Sequence, residues 1–229
     1  MVFVEDGKVM INILYEDNHL LVVEKKVGVL SQSDGTNTPD MLTILKKYLK
    51  DKYHKPGNVY LGLVHRLDKN VGGIMVFAKT SKAAGRLSEE IRKKEFSKTY
   101  LAICEGIVED RGCYQDYLKR VEYRSEIGTK ETGKLARLTY KLLTVIESNS
   151  LVEINLETGR HHQIRVQFSY HHHPLLGDEK YGKKGKFPIA LYAYKLEFTH
   201  PTTKEKLTFS LIPNEGYFKN VARLIDFQK

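Results

Sequence analysis

Short apolar runs separated by polar turns dominate this chain, and most of them are spaced as β-strands. The clearest lie at residues 20–24, 73–78 and 151–156. Further strands are expected at residues 58–64, 99–105, 135–146, 189–198 and 206–212, after a short amino-terminal strand. Because these strands do not alternate regularly with helices, the pattern predicts an α+β fold built on a mixed, largely antiparallel sheet with flanking helices.

Helices are expected at a few places beside that sheet. Residues 38–40 (Thr-Pro-Asp) are a helix-start signal, and apolar residues at helical spacing follow them. Residues 81–95 form an amphipathic pattern, residues 160–170 favour a helix or a turn followed by a helix, and a short helix is expected near 220–227. No repeat or linker-like stretch is present, so we expect one domain over residues 1–229, with a cleft between two lobes as the open alternative.

The composition excludes several classes of protein. With 41% hydrophobic and 28% charged residues, the chain of 229 residues has the balance of a soluble globular protein rather than a disordered one. No apolar run approaches the roughly 20 residues that a membrane span requires, so no membrane association is expected. Cys104 and Cys113 are too few for a disulfide scaffold, and free thiols indicate a reducing, cytoplasmic location.

The formal charge is +9, from 37 Lys and Arg against 28 Asp and Glu. Such an excess either serves solubility or attracts a polyanionic partner such as nucleic acid, because lysine and arginine neutralise phosphates and release counterions. Basic residues concentrate at 46–55, 92–98 and 180–186. These stretches are either three solvated faces or one rim around a groove, and the sequence leaves both interpretations open.

The first segment that could carry functional groups is the polar stretch between two apolar runs. His65, Arg66 and Asp68 lie between residues 58–64 and 73–78. A short connection between core strands is held rigidly, which suits a functional group that must not move. The alternative is an ordinary turn in which Asp68 caps a backbone N–H.

The second segment covers residues 156–167 and carries two arginines. Arg160 and Arg165 provide guanidinium groups that can bind phosphates, or one of them can pair with a buried carboxylate such as Asp68. His161 and Arg165 are four residues apart and would share the face of a helix. A solvated basic helix face is the open alternative.

The third segment is the expected strand at 99–105. Just before and within it, Lys98 and Tyr100 project to the same side, which places a cation beside an aromatic hydroxyl. A tyrosine buried in the core is the ordinary explanation for such a residue.

Histidines at 161–162 and 171–173, with Asp178 and Glu179 nearby, suggest a metal site at first sight. Their spacing matches no recognised zinc pattern, and both cysteines lie elsewhere in the chain. Histidines next to arginines also often face solvent or RNA. We therefore expect no metal.

Five segments in order resemble the RluA-type pseudouridine synthase family. They read VHRLDKNVGGIMVFAKT, KTYLAICEG, LETGRHHQIRVQ, HPLLGDEKYG and ALYAYKLEFTHP, and the resemblance runs from about NHLLVVEKKVGV to LTFSLIPNEGYF, nearly the whole chain. It implies the fold of those enzymes, with a central RNA-binding cleft, and the isomerisation of specific uridines in tRNA or rRNA. That reaction is redox-neutral and needs no group donor, so no cofactor is expected.

The resemblance also implies roles for individual residues. Asp68 is the expected catalytic aspartate, Tyr100 is expected to pack on the target base, and Arg165 is the expected ion-pair partner of Asp68. Arg66 is expected to fill the space that the flipped nucleotide leaves. The positions expected to contact RNA are His65, Arg66, Lys98, Arg160, His162 and Gln163.

A single carboxylate fits this chemistry. Positive charge develops at C1′ as the uracil leaves, so an anion is needed there. Asp68 would either attack C1′ or remove a proton from the sugar, and the sequence does not choose between these routes. A hydrolytic glycosidase usually has a second carboxylate, whereas here the detached base must be retained and water kept out.

The chain departs from the family pattern in two segments. The family usually has Thr-Ser-Gly where this chain has Val71-Gly72-Gly73, and it has histidine where this chain has Tyr192. The first departure keeps open an alternative function, an inactive RNA-binding or RNA-chaperoning protein of the same fold. Too few residues precede NHLLVVEKK for an S4-type RNA-binding module, so we expect a stand-alone, monomeric catalytic domain that recognises RNA with its own surface.

Overall fold

The computed structural model describes residues 2–6 and 9–225, which form two compact units. The first unit runs to Phe96 and takes in Lys195–Leu211. The second consists of Ser97–Tyr194 and the described residues after Leu211. Within the described residues, no helix is long and apolar enough to cross a lipid bilayer.

The regular elements are short and mostly strands. The strands are β1 (Val2–Asp6), β2 (Val9–Glu16), β3 (Leu20–Lys25), β4 (Gly62–Leu63), β5 (Gly72–Ala78), β6 (Ser97–Glu105), β7 (Arg111–Val121), β8 (Arg124–Gly128), β9 (Lys134–Ile146), β10 (Asn149–Leu156), β11 (Leu191–Thr199) and β12 (Lys206–Ser210). The helices are α1 (Met41–Lys52), α2 (Ser81–Lys93), α3 (Gln163–Tyr170) and α4 (Val221–Leu224), with a 3₁₀ turn at Gly216–Phe218.

In the first unit, β1, β2, β3 and β5 pair in that order, all antiparallel, and β4 adds to β5. The part of β11 that lies in this unit pairs with β12, also antiparallel. One apolar face of this unit is covered by α2, which buries Ala83 and Leu87. That core also contains Phe96 and Phe198, whose rings stack with their centroids 5.1 Å apart.

Helix α1 begins where the sequence signal predicts, because the Asp40 side chain accepts a hydrogen bond from the Thr43 N–H at 3.0 Å. Its carboxyl-terminal end is anchored by the Glu16 carboxylate at the end of β2. That carboxylate accepts hydrogen bonds from the hydroxyls of Tyr48 and Tyr53 and from the ammonium groups of Lys52 and Lys79, at 2.7–2.9 Å.

In the second unit, β6, β10, β9, β7 and β8 pair in that order, each pair antiparallel. Helix α3 packs against β7 and β8. A small core of Leu118, Ala136 and Val166 lies at that contact. Strands β7 and β8 form a hairpin with a two-residue turn at Glu122 and Tyr123.

The α+β class and the largely antiparallel sheet are confirmed. The expected strands at 20–24 and 73–78 are β3 and β5, and the expected helix at 81–95 is α2. The expected strand at 58–64 is wrong for most of its length, because only Gly62 and Leu63 find ladder partners, at the end of β5.

Other differences concern the second unit. The hairpin of β7 and β8 was not predicted, because its alternation of apolar and polar residues is weak: only Tyr114 and Leu118 of β7 are buried. The expected short helix near 220–227 is α4, which ends at Leu224, and residues 226–227 of that prediction lie outside the described residues.

Replacing Glu16 with glutamine tests the anchor of α1. Burial alone would raise the pKa of Glu16, but hydrogen bonds from Lys52, Tyr53, Lys79 and Tyr48 lower it from 4.5 to about 2. The carboxylate therefore stabilises the fold above pH 4.5, and this stabilisation is lost as the pH falls toward 2. We expect Glu16→Gln to lower the free energy of unfolding by about 2–3 kcal/mol at neutral pH, with the difference fading in that acid range.

Urea unfolding at several pH values measures the effect. The control is Glu89→Gln on α2, where the carboxylate pairs with the largely exposed Arg92 and contributes little. A Glu16→Gln protein as stable as the wild type at neutral pH would contradict the prediction.

Candidate active site

Asp68 lies on the loop between β4 and β5, and the backbone around it is held at several points. The Ser31 hydroxyl donates to the Leu67 carbonyl at 2.7 Å and accepts from the Leu67 N–H at 3.0 Å. The Val71 N–H donates to the Asp68 carbonyl at 3.0 Å, and the Gly28 N–H donates to the Lys69 carbonyl at 2.9 Å. The loop is thus fixed by bonds to its main chain, while the Asp68 side chain is half-buried.

The departure from the family pattern at Val71-Gly72-Gly73 sits at the start of β5. Val71 is buried, and Gly73 has φ +133°, a backbone conformation that favours glycine. Gly73 is the position at which the family pattern also has glycine. The two substituted positions therefore leave the residue with the special backbone conformation unchanged.

Lys25, the last residue of β3, is a buried cation beside the Asp68 loop. Its side chain is fully buried, and its ammonium donates to the carbonyls of Lys26, Val29 and Lys69 at 2.7–3.1 Å. Burial lowers the pKa of Lys25 from 10.5 to about 7, and the charge of Asp68 acts in the opposite direction. Lys25 thus brings positive charge to the neighbourhood of Asp68 and ties the Asp68 loop to the turn after β3.

The two other predicted residues of this loop differ in exposure. Arg66 is exposed. His65 is half-buried, and its Nε2 accepts a hydrogen bond from the Val76 N–H at 3.1 Å. The ring of His65 also lies near Phe96, with centroids 5.7 Å apart, so its observed contacts hold the loop against β5.

In the second unit, β6 carries Lys98 and Tyr100 on one side. Tyr100 is 6% exposed and lies opposite Ile154 of β10. Burial lowers the pKa of Lys98. Lys98 also approaches the glycine of the GRHHQIR segment, since a Cβ added at Gly159 would lie 3.3 Å from its Nζ.

The GRHHQIR segment turns sharply before α3. The buried side chain of Gln163 accepts hydrogen bonds from the Thr158 hydroxyl and the Arg160 N–H and donates to the Arg137 carbonyl, at 2.7–3.1 Å. Its observed bonds hold this turn. The exposed Arg160 donates through Nε to the Leu135 carbonyl at 2.9 Å.

Helix α3 begins at Gln163, because His162 has φ +54° and ends the turn in the left-handed region. His161 therefore lies outside the helix, and the expectation that it shares a helix face with Arg165 is wrong. The two histidine rings stack instead, with centroids 3.7 Å apart. His161 Nδ1 lies 3.0 Å from the Ser125 hydroxyl.

Arg165 forms an ion pair that the sequence did not indicate. Its Nε donates to Asp178 Oδ2 at 2.9 Å and its NH2 group donates to Asp178 Oδ1 at 2.7 Å. The Asp178 side chain is 1% exposed and that of Arg165 is 12% exposed. The Tyr181 ring lies beside the guanidinium, with 5.2 Å between Cζ and the ring centroid.

The predicted site residues thus divide between the two units. The first unit contains His65, Arg66 and Asp68, and the second contains Lys98, Tyr100, Arg160, His162, Gln163 and Arg165. The ion pair of Asp68 with Arg165 stays a prediction. Among the described residues, no three histidine, cysteine, aspartate or glutamate side chains are grouped as metal ligands.

Sequence reasoning missed Lys25 and Tyr181, and it considered Asp178 only as part of a possible metal site. Lys25 left a weak signal, since it follows Glu24 directly after the apolar run at residues 20–23. Asp178 follows a glycine in LLGDEKYG, but nothing in the pattern of residues pairs it with an arginine 13 positions earlier.

Two known proteins with similar sequences are both named as pseudouridine synthases. The family model described as RNA pseudouridylate synthase matches residues 19–170. The ribosomal large subunit pseudouridine synthase D of Nitrosomonas europaea is 32% identical, over 90% of this chain and 63% of its own length. An uncharacterized RNA pseudouridine synthase of Aquifex aeolicus is 34% identical, over 95% of this chain and 74% of its own length. The chain thus spans between 63% and 74% of these two relatives.

Solved structures share the fold. Human RNA pseudouridylate synthase domain containing 4 superposes with a TM-score of 0.73 at 23% identity, over 87% of each chain. Human RNA pseudouridylate synthase domain containing 1 superposes with a TM-score of 0.71 at 24% identity, over 96% of this chain and 97% of its own.

Lys25 leads to a prediction about stability and pH. Since its pKa is about 7 in the folded protein and 10.5 for an ordinary lysine in water, the unfolded chain binds the extra proton between these values. Stability therefore rises with pH across this window, with a contribution of at most about 1.4 kcal/mol per pH unit. We expect the Lys25→Met protein to lack this increase of stability with pH, whether it is more or less stable than the wild type at pH 7.

Urea unfolding of both proteins between pH 7 and pH 10 measures the two slopes. Lys26→Met is the matched control, because it makes the same substitution at the neighbouring lysine, which is only half-buried. Equal slopes for the wild type and Lys25→Met would contradict the assignment.

Proposed function

Because the chain belongs to the RNA pseudouridylate synthase family, we propose that it isomerises specific uridines in RNA to pseudouridine. In this reaction the bond from uracil N1 to the sugar C1′ breaks, the base turns, and a bond from C5 to C1′ forms. C5 loses a proton and N1 gains one, so the atoms balance without a cofactor. Both units work together as one catalytic domain over residues 1–229, as a monomer in the reducing cytoplasm.

The observation that carries the proposal is the main-chain clamp on the Asp68 loop. Ser31 fixes Leu67 through two hydrogen bonds, and the carbonyl of Lys69 accepts from both the Gly28 N–H and the Lys25 ammonium. A carboxylate on such a loop keeps its position while the substrate changes shape. These hydrogen bonds bind main-chain groups of the loop, so they do not determine which side chain stands at position 68.

In the proposed mechanism, the Asp68 carboxylate stabilises the positive charge that develops at C1′ as the base departs. It does so either by attacking C1′ or by removing a proton from the sugar. Tyr100 packs on the detached uracil and keeps it in place, and Arg165 pairs with the Asp68 carboxylate. Burial of Tyr100 supports its assignment to a pocket that retains the base and excludes water.

RNA binding needs access to a stacked base. Extruding a uridine costs a few kcal/mol, and insertion of the exposed Arg66 into the space it leaves would offset part of that cost. Contacts from His65, Lys98, Arg160, His162 and Gln163 belong to this proposal.

The basic stretches at 46–55, 92–98 and 180–186 each carry exposed lysine or arginine side chains. They suit contacts with phosphates, which do not depend on sequence and weaken as salt is raised. The names of the relatives, several of which are ribosomal large subunit synthases, support large-subunit ribosomal RNA as the first substrate to test, with tRNA second.

Replacing Asp68 with asparagine tests the function directly. We expect the purified wild-type protein to form pseudouridine in an unmodified large-subunit rRNA transcript or in pooled unmodified tRNA transcripts. Asp68→Asn should reduce the rate by at least about a thousandfold, because the amide cannot supply the negative charge. Its affinity for the same RNA should change by less than about threefold, because phosphate contacts dominate affinity.

Mapping of pseudouridines by reverse transcription and a filter-binding titration give the two readouts. Asp34→Asn, in an exposed turn, is the matched control and should retain the wild-type rate. Full activity of Asp68→Asn would overturn the proposed role of the carboxylate. RNA binding by the wild type without any pseudouridine would favour the inactive RNA-binding alternative.

A further inference from the structure

Asp178 has no role in the proposed reaction, yet both of its carboxylate oxygens bind one edge of the Arg165 guanidinium. The guanidinium has five N–H donors in one plane. Two of them, one on Nε and one on NH2, donate to the two oxygens of Asp178. This bidentate arrangement fixes both the position and the plane of the guanidinium, and its other donors keep a constant direction.

Asp178 is itself fixed by its local backbone. Its Oδ1 accepts the N–H groups of Lys180 at 3.0 Å and Tyr181 at 3.2 Å. The preceding Gly177 has φ +73°, and a Cβ there would lie 2.6 Å from the Phe187 carbonyl oxygen, so glycine is required at this position. The backbone conformation of Gly177 and these two hydrogen bonds thus fix the orientation of the Asp178 carboxylate.

The same turn places Tyr181 against Arg165. The ring lies beside the guanidinium, and its hydroxyl accepts the Ser125 N–H at 2.8 Å and lies 2.8 Å from His162 Nδ1. Arg165 is therefore held by a carboxylate and by an aromatic ring that is anchored in turn to the hairpin strand β8.

Stability alone does not account for this buried pair. Replacing a buried ion pair with apolar residues of similar volume often leaves a protein equally stable or more stable, because both charges must be removed from water. A fixed guanidinium, by contrast, is valuable where an arginine must hold another charged group in one orientation.

We propose that Asp178 is a positioning residue for catalysis, which acts by fixing the direction in which Arg165 presents its remaining N–H groups. The inference rests on the proposed function, in which Arg165 supports Asp68. Because Asp178 also offsets the charge of Arg165, its role differs from that of an RNA-binding residue. Its loss should slow the reaction and should not weaken the attraction for phosphates.

The experiment compares Asp178→Asn and Asp178→Glu with the wild type on the rRNA or tRNA transcript in which the wild type forms pseudouridine. Asparagine keeps the shape and removes the charge, whereas glutamate keeps the charge and moves it by one methylene. The matched control is Asp116→Asn, which removes another largely buried carboxylate that contacts Gln167 of α3 and His171, the residue that follows α3. The readouts are the single-turnover rate, the dissociation constant for the RNA, and the thermal unfolding of each protein.

We expect Asp178→Asn to lower the single-turnover rate about 10- to 100-fold, the range typical of residues that orient another functional group. The dissociation constant should stay within about threefold of the wild-type value. In an Arg165→Lys background, Asp178→Asn should change the rate by less than about threefold, because residues that act as one unit are not additive. The control Asp116→Asn should keep the wild-type rate.

A wild-type rate in a folded Asp178→Asn protein would overturn the inference, as would fully additive effects in the double variant or an RNA affinity that falls in parallel with the rate. If Asp178→Asn does not fold, Asp178→Glu decides: a slowed reaction with wild-type affinity supports the inference and a wild-type rate overturns it. A wild-type protein that forms no pseudouridine would overturn the proposed function and this inference together.

Discussion

The main-chain hydrogen bonds around Leu67 and Lys69 are the constraint on which the account of this protein depends. Ser31 both donates to and accepts from Leu67, and the buried Lys25 ammonium binds the Lys69 carbonyl. These bonds hold the backbone on both sides of Asp68 without using its carboxylate. The backbone that carries Asp68, the proposed catalytic residue, is thereby held in place by neighbours in the chain.

Arg165 is also fixed in position, but by a side-chain ion pair rather than by hydrogen bonds to its main chain. Its position is set by a carboxylate that backbone N–H groups and an obligatory glycine have already fixed. In each unit the group proposed to act in catalysis is thus supported by residues that have no chemical role of their own. Lys25 and Asp178 are both buried charges, and each is more readily explained by orientation than by stability, since burying a charge costs free energy.

The sequence predicted the parts of the structure that depend on local patterns. Asp40 caps α1 as its position before an apolar helical repeat indicates, and the all-apolar run of β5 is a buried strand. Residues 58–61 and the hairpin of β7 and β8 were mispredicted or missed, because strand pairing depends on distant partners. The left-handed conformation of His162 sets where α3 begins, and no propensity of histidine foretells it. The resemblance supplied the residue types of the site, whereas the partners of Lys25 and Arg165 emerged only from tertiary contacts.

A crystal structure of the Asp68→Asn protein bound to its RNA substrate tests the central claim most directly. The account predicts that the target uridine is extruded, with its C1′ in contact with the side chain at position 68 and its uracil packed on Tyr100. An N–H group of Arg165 should lie within about 3.5 Å of that side chain. A side chain at position 68 that faces bulk solvent, remote from both the sugar and the guanidinium, would contradict the account.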